Sequence, residues 1–299
     1  MRTIVVTLFL IVMFARAALA HGVEFHGVEA VWTFDTWVMV PLLTVGLSYV
    51  LGGWVLWRRR RVGNSAGTWR AVAFGAGWIT LTGALVSPLH WLGEHLFTFH
   101  MIEHEIVMAV SAPLLVAGRP IGTMLWSLPR SLRVTAGRFL RRSSIVTVWD
   151  HLSAGGNATV LHGVAIWAWH VPGLFDAAVT NVAVHRLQHL SFLLTAMLFW
   201  WSVFYRSKPG VATWHLFVTM MHTGILGALM TLAPKVLYQA QTAAAAAWGL
   251  TPLQDQQLAG LIMWVPAGTV YAGAAMALMV IWIRESGAAQ TRGDAIGAH

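Results

Sequence analysis

The sequence predicts an all-α, polytopic membrane bundle of seven transmembrane helices after a signal peptide. Three observations carry that reading. Of 299 residues, 57% are hydrophobic and only 10% charged, against about 25% charged in a typical soluble domain. Seven runs approach the roughly 20 apolar residues that cross a bilayer: 37–57, 70–88, 99–117, 154–172, 185–205, 212–232 and 258–283. The basic residues then fall almost wholly on one side of the alternation those runs define.

Residues 1–20 combine Arg2, an apolar run from Ile4 to Phe14 and the small-residue end Ala18-Leu19-Ala20, which is the pattern of a secretory signal. Cleavage after Ala20 would leave His21 as an external N-terminus, with 21–36 as an external segment. With that orientation, Arg58 to Arg61 and Arg70 lie inside, followed by Arg119, Arg130, Arg133, Arg138, Arg141 and Arg142, then Arg206, Lys208, Arg284 and Arg292. Only Lys235 and Arg186 lie outside, a strong positive-inside signal. Residues 37–285 form the membrane domain and 286–299 a cytoplasmic tail.

Pro172 closes the fourth run early. The inner stretch 118–156, with Trp126, Pro129, Phe139 and six arginines, reads as lying along the lipid headgroups. The outer loop 233–257 holds the run Ala243 to Ala247 and reads as a short interfacial helix. No repeat and no separate soluble domain is visible.

Composition narrows the chemistry. Cysteine is absent, which excludes disulfides, thiolate metal sites, iron–sulfur clusters and cysteine catalysis. The net charge of +8 is taken up by short loops facing membrane lipid, so it gives no support to nucleic-acid binding.

The 14 histidines are the anomaly. His21, His26, His90, His95, His100, His104, His170, His185 and His189 all fall at the outer boundary, together with Glu24, Glu29, Asp35, Glu94, Glu103, Glu105, Asp176 and Asp255. Imidazole is the commonest metal ligand. Spacing of four puts His100, His104 and Met108 on one helical stripe, descending about 6 Å per step. His185 and His189 repeat the device on another helix at comparable depth, so four imidazoles can converge on one ion.

Imidazole suits copper and zinc, and thioether selects copper(I), so Met108 and the absence of thiolates favour copper. Glu103 and Asp176 are candidates to orient the imidazoles. His222 and His162 lie within the membrane, where ionisable groups face the bundle interior and mark function or an interhelical hydrogen bond. His170 sits two turns above His162. His21 and His26 form a further candidate pair, because a terminal histidine offers both its amine and its ring to copper.

The segments HMIEHEIVMAVSAPLL at 100–115, WHVPGLFDAAV at 169–179, HRLQHLSFLLTAMLFWW at 185–201 and DQQLAGLIMWVPAG at 255–268 resemble the CtaG family of cytochrome c oxidase assembly factors, the seven-helix bacterial kind. The likeness covers about residues 30–285. It implies a protein of the bacterial inner membrane, C-terminus cytoplasmic, that matures a copper-containing terminal oxidase by handling copper. Oxidase subunits and periplasmic copper chaperones are the implied partners. Gln188 departs from the acidic residue expected between the paired histidines.

The leading reading is a non-enzymatic metallochaperone. Two alternatives compete with it. His100-Met101-Ile102-Glu103-His104 formally matches H-x-x-E-H, in which two histidines bind zinc and the glutamate acts as base. A b-type haem held between helices is the other, and it needs single histidines at matched depth on facing helices. On the charge asymmetry, reporter fusions after Arg61, Arg142 and Arg206 are expected to read as cytoplasmic, and fusions after Gly93, Asn181 and Gln241 as external. An internal reading from any of the second group would break the seven-span arrangement.

Overall fold

The computed structural model describes residues 30–59 and 65–297. Residues 1–20, His21, His26, Arg60 and Arg61 lie outside the described residues. Among those described there is no strand.

The long helices are α1 (Thr36–Arg59), α2 (Ser65–Val86), α4 (Phe97–Ala117), α10 (Val182–Tyr205), α11 (Pro209–Thr231) and α13 (Pro252–Gly297). Shorter pieces connect them: α3 (Pro88–His95), α5 (Pro120–Leu125), α6 (Arg130–Leu140), α7 (Ser143–Leu152), α8 (Gly155–Trp169), α9 (Pro172–Thr180) and α12 (Gln239–Thr242).

Proline stands in the first turn of α3, α5, α9 and α11, where its missing N–H costs nothing. Side-chain caps complete other starts. Asp35 accepts from Trp37 N at 2.9 Å, Ser87 from Leu89 N at 3.2 Å and Asn181 from Ala183 N at 2.9 Å, each satisfying an otherwise orphaned donor.

Five helices are long and apolar enough to cross a bilayer: Thr36–Arg59, Gly67–Val86, Phe97–Ala117, Val182–Tyr205 and Pro252–Ser286. A sixth crossing results if α8 and α9 count as one span, bent by 75°. The fourth run is therefore not the straight span its apolar residues suggest. Pro172 cannot continue the preceding helix, so the chain turns there and starts α9. The run at 212–232 is the 23-residue α11, whose mean apolar character is diluted by His215 and His222; it packs on α13 and still exposes an apolar stripe of Trp214, Phe217, Met221, Ile225 and Leu229. α13 continues to Gly297, through most of the expected tail.

In the stretch 118–156, helices α5, α6 and α7 have no buried residue. Their arginines pack on aromatic faces, Arg133 over Trp126 at 3.9 Å and Arg119 over Tyr205 at 4.0 Å, and Arg206 pairs with Asp150 at 3.0 Å. These contacts gather the basic residues at one end of the bundle. The expected interfacial helix near Ala243–Ala247 is a single 3-10 turn, Ala245–Trp248.

The middle of α4 is not α-helical. Ile106–Ser111 is a π-helical turn, in which Ala112 N bonds to Val107 O. Pro113 follows, and in a regular helix its ring would strike the carbonyl of Ala109; the wider turn relieves that. The Met108 carbonyl, relieved of its usual partner Ala112 N, accepts the indole N–H of Trp200 at 3.0 Å. The π turn thus fastens α4 to α10.

Helices α11 and α13 meet through glycine. A Cβ at Gly260 would lie 2.5 Å from Thr231 Oγ1 and 2.6 Å from the Gly227 oxygen. Without a hydrophobic drive between helices in lipid, such close approach supplies the association energy. Gly260→Val is expected to cost at least about 1–3 kcal/mol through overpacking, read as a lower unfolding temperature in detergent. Gly268→Val, on the same helix with nothing within 4 Å of its Cβ, serves as the control. Equal losses from both would show that the close approach is not what holds the pair.

Candidate metal centre

The first turn of α4 has no cap of its own; its N-cap residue is Leu96. Asp255, from the start of α13, takes that place across the bundle. Its carboxylate accepts from Phe97 N at 2.8 Å, Thr98 N at 2.9 Å and Thr98 Oγ1 at 2.7 Å, and it is fully buried. A negative group on a helix N-terminus is favoured both by the orphan N–H donors and by the helix dipole. One turn further along α4 stands His100, and a second turn below it His104.

His100 and His104 are 2% and 1% exposed. From α10, His185 and His189 reach the same place, and α3 adds His90. The ring centroids of His100 and His104 are 4.2 Å apart, His104 and His189 4.9 Å, His100 and His185 5.5 Å, and His90 and His185 5.6 Å. One nitrogen from each of His100, His185 and His189 lies within 4.8 Å of the other two.

A metal–imidazole bond is about 2.0–2.1 Å, so nitrogens sharing one ion stand at most about 4.2 Å apart. Closing 4.8 Å to that distance takes small ring rotations. Both nitrogens of His100 and of His104 are buried without a hydrogen-bond partner among the described residues. His185 Nε2 and His189 Nε2 are 2.8 Å apart.

Glu103 supports the cluster from behind. Its Oε1 accepts from His90 Nδ1 at 2.8 Å and lies 3.5 Å from His189 Nδ1. Burial works to lower the His90 pKa, but the hydrogen bond to Glu103 and the charges of Glu103, Glu94 and Asp35 outweigh it and raise the pKa above the ordinary value. Gly93 makes this approach possible: a Cβ there would meet Glu103 Oε2 at 2.9 Å and the His100 backbone at 3.3 Å.

His170 stands at the break between α8 and α9. Its Nδ1 donates to the Ile166 carbonyl at 2.6 Å, which fixes the tautomer and leaves a buried Nε2 without a partner. That arrangement prepares an imidazole to ligate. The Tyr238 hydroxyl donates to the His170 carbonyl at 2.7 Å. Burial and, secondly, the neighbouring Asp176 push the Tyr238 pKa up to about 12, so the donor is retained. Asp176 thus stands beside Tyr238, with Oδ1 buried and without a hydrogen-bond partner among the described residues.

Met108 packs in the apolar core with Phe97, Met101 and Trp200. It lies within the π turn, which interrupts the stripe running from His100 and His104. His222 and His162 occupy a separate level. His162 Nδ1 lies 3.2 Å from Thr195 Oγ1, and the His222 ring lies against Gly163 on α8. His95 stacks on Trp91 at 4.1 Å, with Nδ1 on the Trp91 carbonyl at 2.7 Å. Gln188, between the paired histidines, is fully buried with both amide atoms unpartnered among the described residues.

Two residues here are invisible to spacing arguments. His90 has no second histidine four residues away, its i+4 neighbour on α3 being Glu94, and Asp255 is separated from its partners by more than 150 residues. Their only signal was membership of the outer group of histidines and acids.

Fold and site together define a helical membrane protein with a buried histidine cluster at one end and an arginine-rich opposite end. The chain belongs to the family of cytochrome c oxidase caa3 assembly factors (Caa3_CtaG), whose family model matches residues 47–285. It is 26% identical over 285 residues to an uncharacterized protein of Mycobacterium leprae, covering 88% of this chain and 41% of that one. It is 27% identical over 288 residues to uncharacterized proteins of Mycobacterium bovis and Mycobacterium tuberculosis, covering 89% of this chain and 42% of theirs. The chain therefore spans about two fifths of the length of these relatives. No solved structure matches it.

Asp255→Ala should remove the cap on α4 and leave buried N–H groups unpaired, at a cost of about 1–3 kcal/mol. Thermal unfolding in detergent measures this, and Asp255→Asn is expected to recover part of the loss. An unchanged unfolding temperature in the alanine variant would show that α4 is positioned by other contacts.

Proposed function

We propose that this protein binds copper at the external end of its bundle and passes it to a copper-containing cytochrome c oxidase during assembly. The observation that carries the reading is the convergence of His100, His185 and His189, with His104, His90 and His170 around them, in a site where both nitrogens of His100 and of His104 have no hydrogen-bond partner among the described residues. Three imidazoles are a sufficient ligand set for copper, and no thiolate is present to trap the ion irreversibly. His100, His104, His185 and His189 bind the cargo; Glu103 orients them through His189 and His90. His222 offers a further imidazole deeper in the bundle, and His21 and His26 collect copper outside.

In this reading the bundle sits in the bacterial inner membrane and α11 makes the seventh crossing. The arginine end faces the cytoplasm. Periplasmic copper chaperones supply the metal and oxidase subunits receive it. No covalent step is needed. A zinc-protease role would require a Glu103 oxygen facing a water beside the ion, whereas its Oε1 holds His90 and its Oε2 is buried against Gly93. A haem would require histidines facing one another across a porphyrin; these rings pack directly on each other at centroid separations of 4.2–5.9 Å.

Copper titration of the purified protein tests the site. His104→Ala and His189→Ala are each expected to remove most of the binding, with the double variant little worse, because ligands of one ion act as a unit. Partial, additive losses would mean separate weak sites. In the cell, deletion is expected to lower cytochrome c oxidase activity while copper-free terminal oxidases stay active, with partial rescue by added copper. Normal oxidase activity in the deletion strain would remove the assembly role.

A further inference from the structure

Glu105 lies two residues beyond Glu103, a rotation of about 200° around α4 at helical geometry, so the two carboxyl groups leave opposite sides of the helix. Glu103 turns in to the histidines. Glu105 forms part of the wall of a groove between α4 and α13, of about 270 Å³, lined otherwise by apolar residues including Ile102, Ala109, Ile262, Pro266 and Val270. Pro266 and Val270 form an exposed rim, and Glu105 has no hydrogen-bond or ion-pair partner among the described residues. It stands eight residues below Phe97, about 12 Å along the helix, within the stretch that crosses the membrane.

We propose that this groove is a docking site for a transmembrane helix of the oxidase, and that Glu105 recognises a lysine or arginine on that helix at matched depth. A carboxyl group in hydrocarbon is costly unless paired, and acidic side chains within membrane spans typically mark partners or pathways. Charge complementarity selects a basic group. Depth selects a helix: lipid amines are held at the headgroup level, about 12 Å above. The lining argues against a cofactor, since small-molecule sites present several convergent polar groups and this groove has one polar side chain. A lone carboxylate in an apolar lining is also too poor in oxygen ligands for a hard cation. The exposed rim leaves room for a neighbouring backbone, and the groove takes one long side chain. This deepens the assembly reading and rests on it: the partner to which copper is delivered is held by α4, the helix that carries two of the copper ligands on its other side.

The test uses the full-length protein in membranes of its host, with a benzophenone amino acid at Val270 and irradiation. The expected product is a crosslink to a membrane subunit of the oxidase, mapped by mass spectrometry to a transmembrane peptide containing lysine or arginine. Its yield should fall about tenfold or more in Glu105→Leu and in the size-matched Glu105→Gln, as for loss of one partner of a buried charge pair. Glu105→Lys, combined with a basic-to-glutamate change in the mapped peptide, should restore it. Copper titration of purified Glu105→Leu should be unchanged, since Glu105 faces away from the imidazoles. Crosslinks only to lipid, only to a second copy of this chain, or to an oxidase peptide without a basic residue would overturn the proposal, as would a yield indifferent to Glu105. Such a result with copper binding and deletion phenotype intact would leave the delivery role standing, whereas a Glu105-dependent crosslink without copper binding would sink that role and keep the docking site.

Discussion

Polar side chains inside an apolar bundle must find partners or cost about 1–3 kcal/mol apiece, and this chain concentrates them at one level. His90, His100, His104, His185, His189 and Glu103 meet where α3, α4 and α10 converge, and only part of their hydrogen-bonding capacity is met by one another. Much of the surrounding structure is arranged to keep them there. Gly93 lets α3 approach closely enough for Glu103 to reach His90. Asp255 brings α13 onto the N-terminus of α4 and fixes the height of His100 and His104. Such a set of inward-facing nitrogens, fixed in place and short of donors and acceptors, is suited to an ion that supplies several bonds at once.

The same bundle explains why the histidine end tolerates a positive charge. Arg186 is next to His185, yet its guanidinium donates to Asp35 at 2.7 Å and lies 6.0 Å from the centre of the Trp37 ring. This pair ties the start of α1 to the start of α10. At the far end the guanidinium groups of Arg58, Arg133 and Arg119 lie over the rings of Trp54, Trp126 and Tyr205, held there by cation–π attraction. Charge thus divides the molecule into a basic end and an imidazole end, with the apolar spans between.

α4 links these levels. Its first two turns are regular and hold His100, Glu103 and His104 on one side and Glu105 on the other. The π turn that Pro113 favours then releases the Met108 carbonyl to Trp200, which fastens the helix to α10. A regular helix would have carried Met108 along the histidine stripe; the wider turn places it in the apolar core with Phe97 and Trp200.

The amino-acid sequence by itself determined the class of protein, the approximate limits of most long helices, and the two His-xxx-His pairs, because apolar run length and four-residue spacing are local properties. It also marked the outer boundary as the place where histidines and acids collect. Only the tertiary structure decided which of them meet. His90 joins the cluster through a short helix whose packing depends on Gly93, and Asp255 acts on backbone N–H groups on the far side of the bundle. Neither relation has a period to detect. The bend of α8 into α9 and the π turn in α4 also escaped a reading by run length, since a proline inside an apolar run signals a break without giving its angle or the new register. Glu103 and Glu105 look equivalent in sequence, both acids beside His104. Their separation into a buried support for imidazoles and an unpaired group in a lipid-facing groove follows from helix rotation and from which neighbour, α3 or α13, packs on each side.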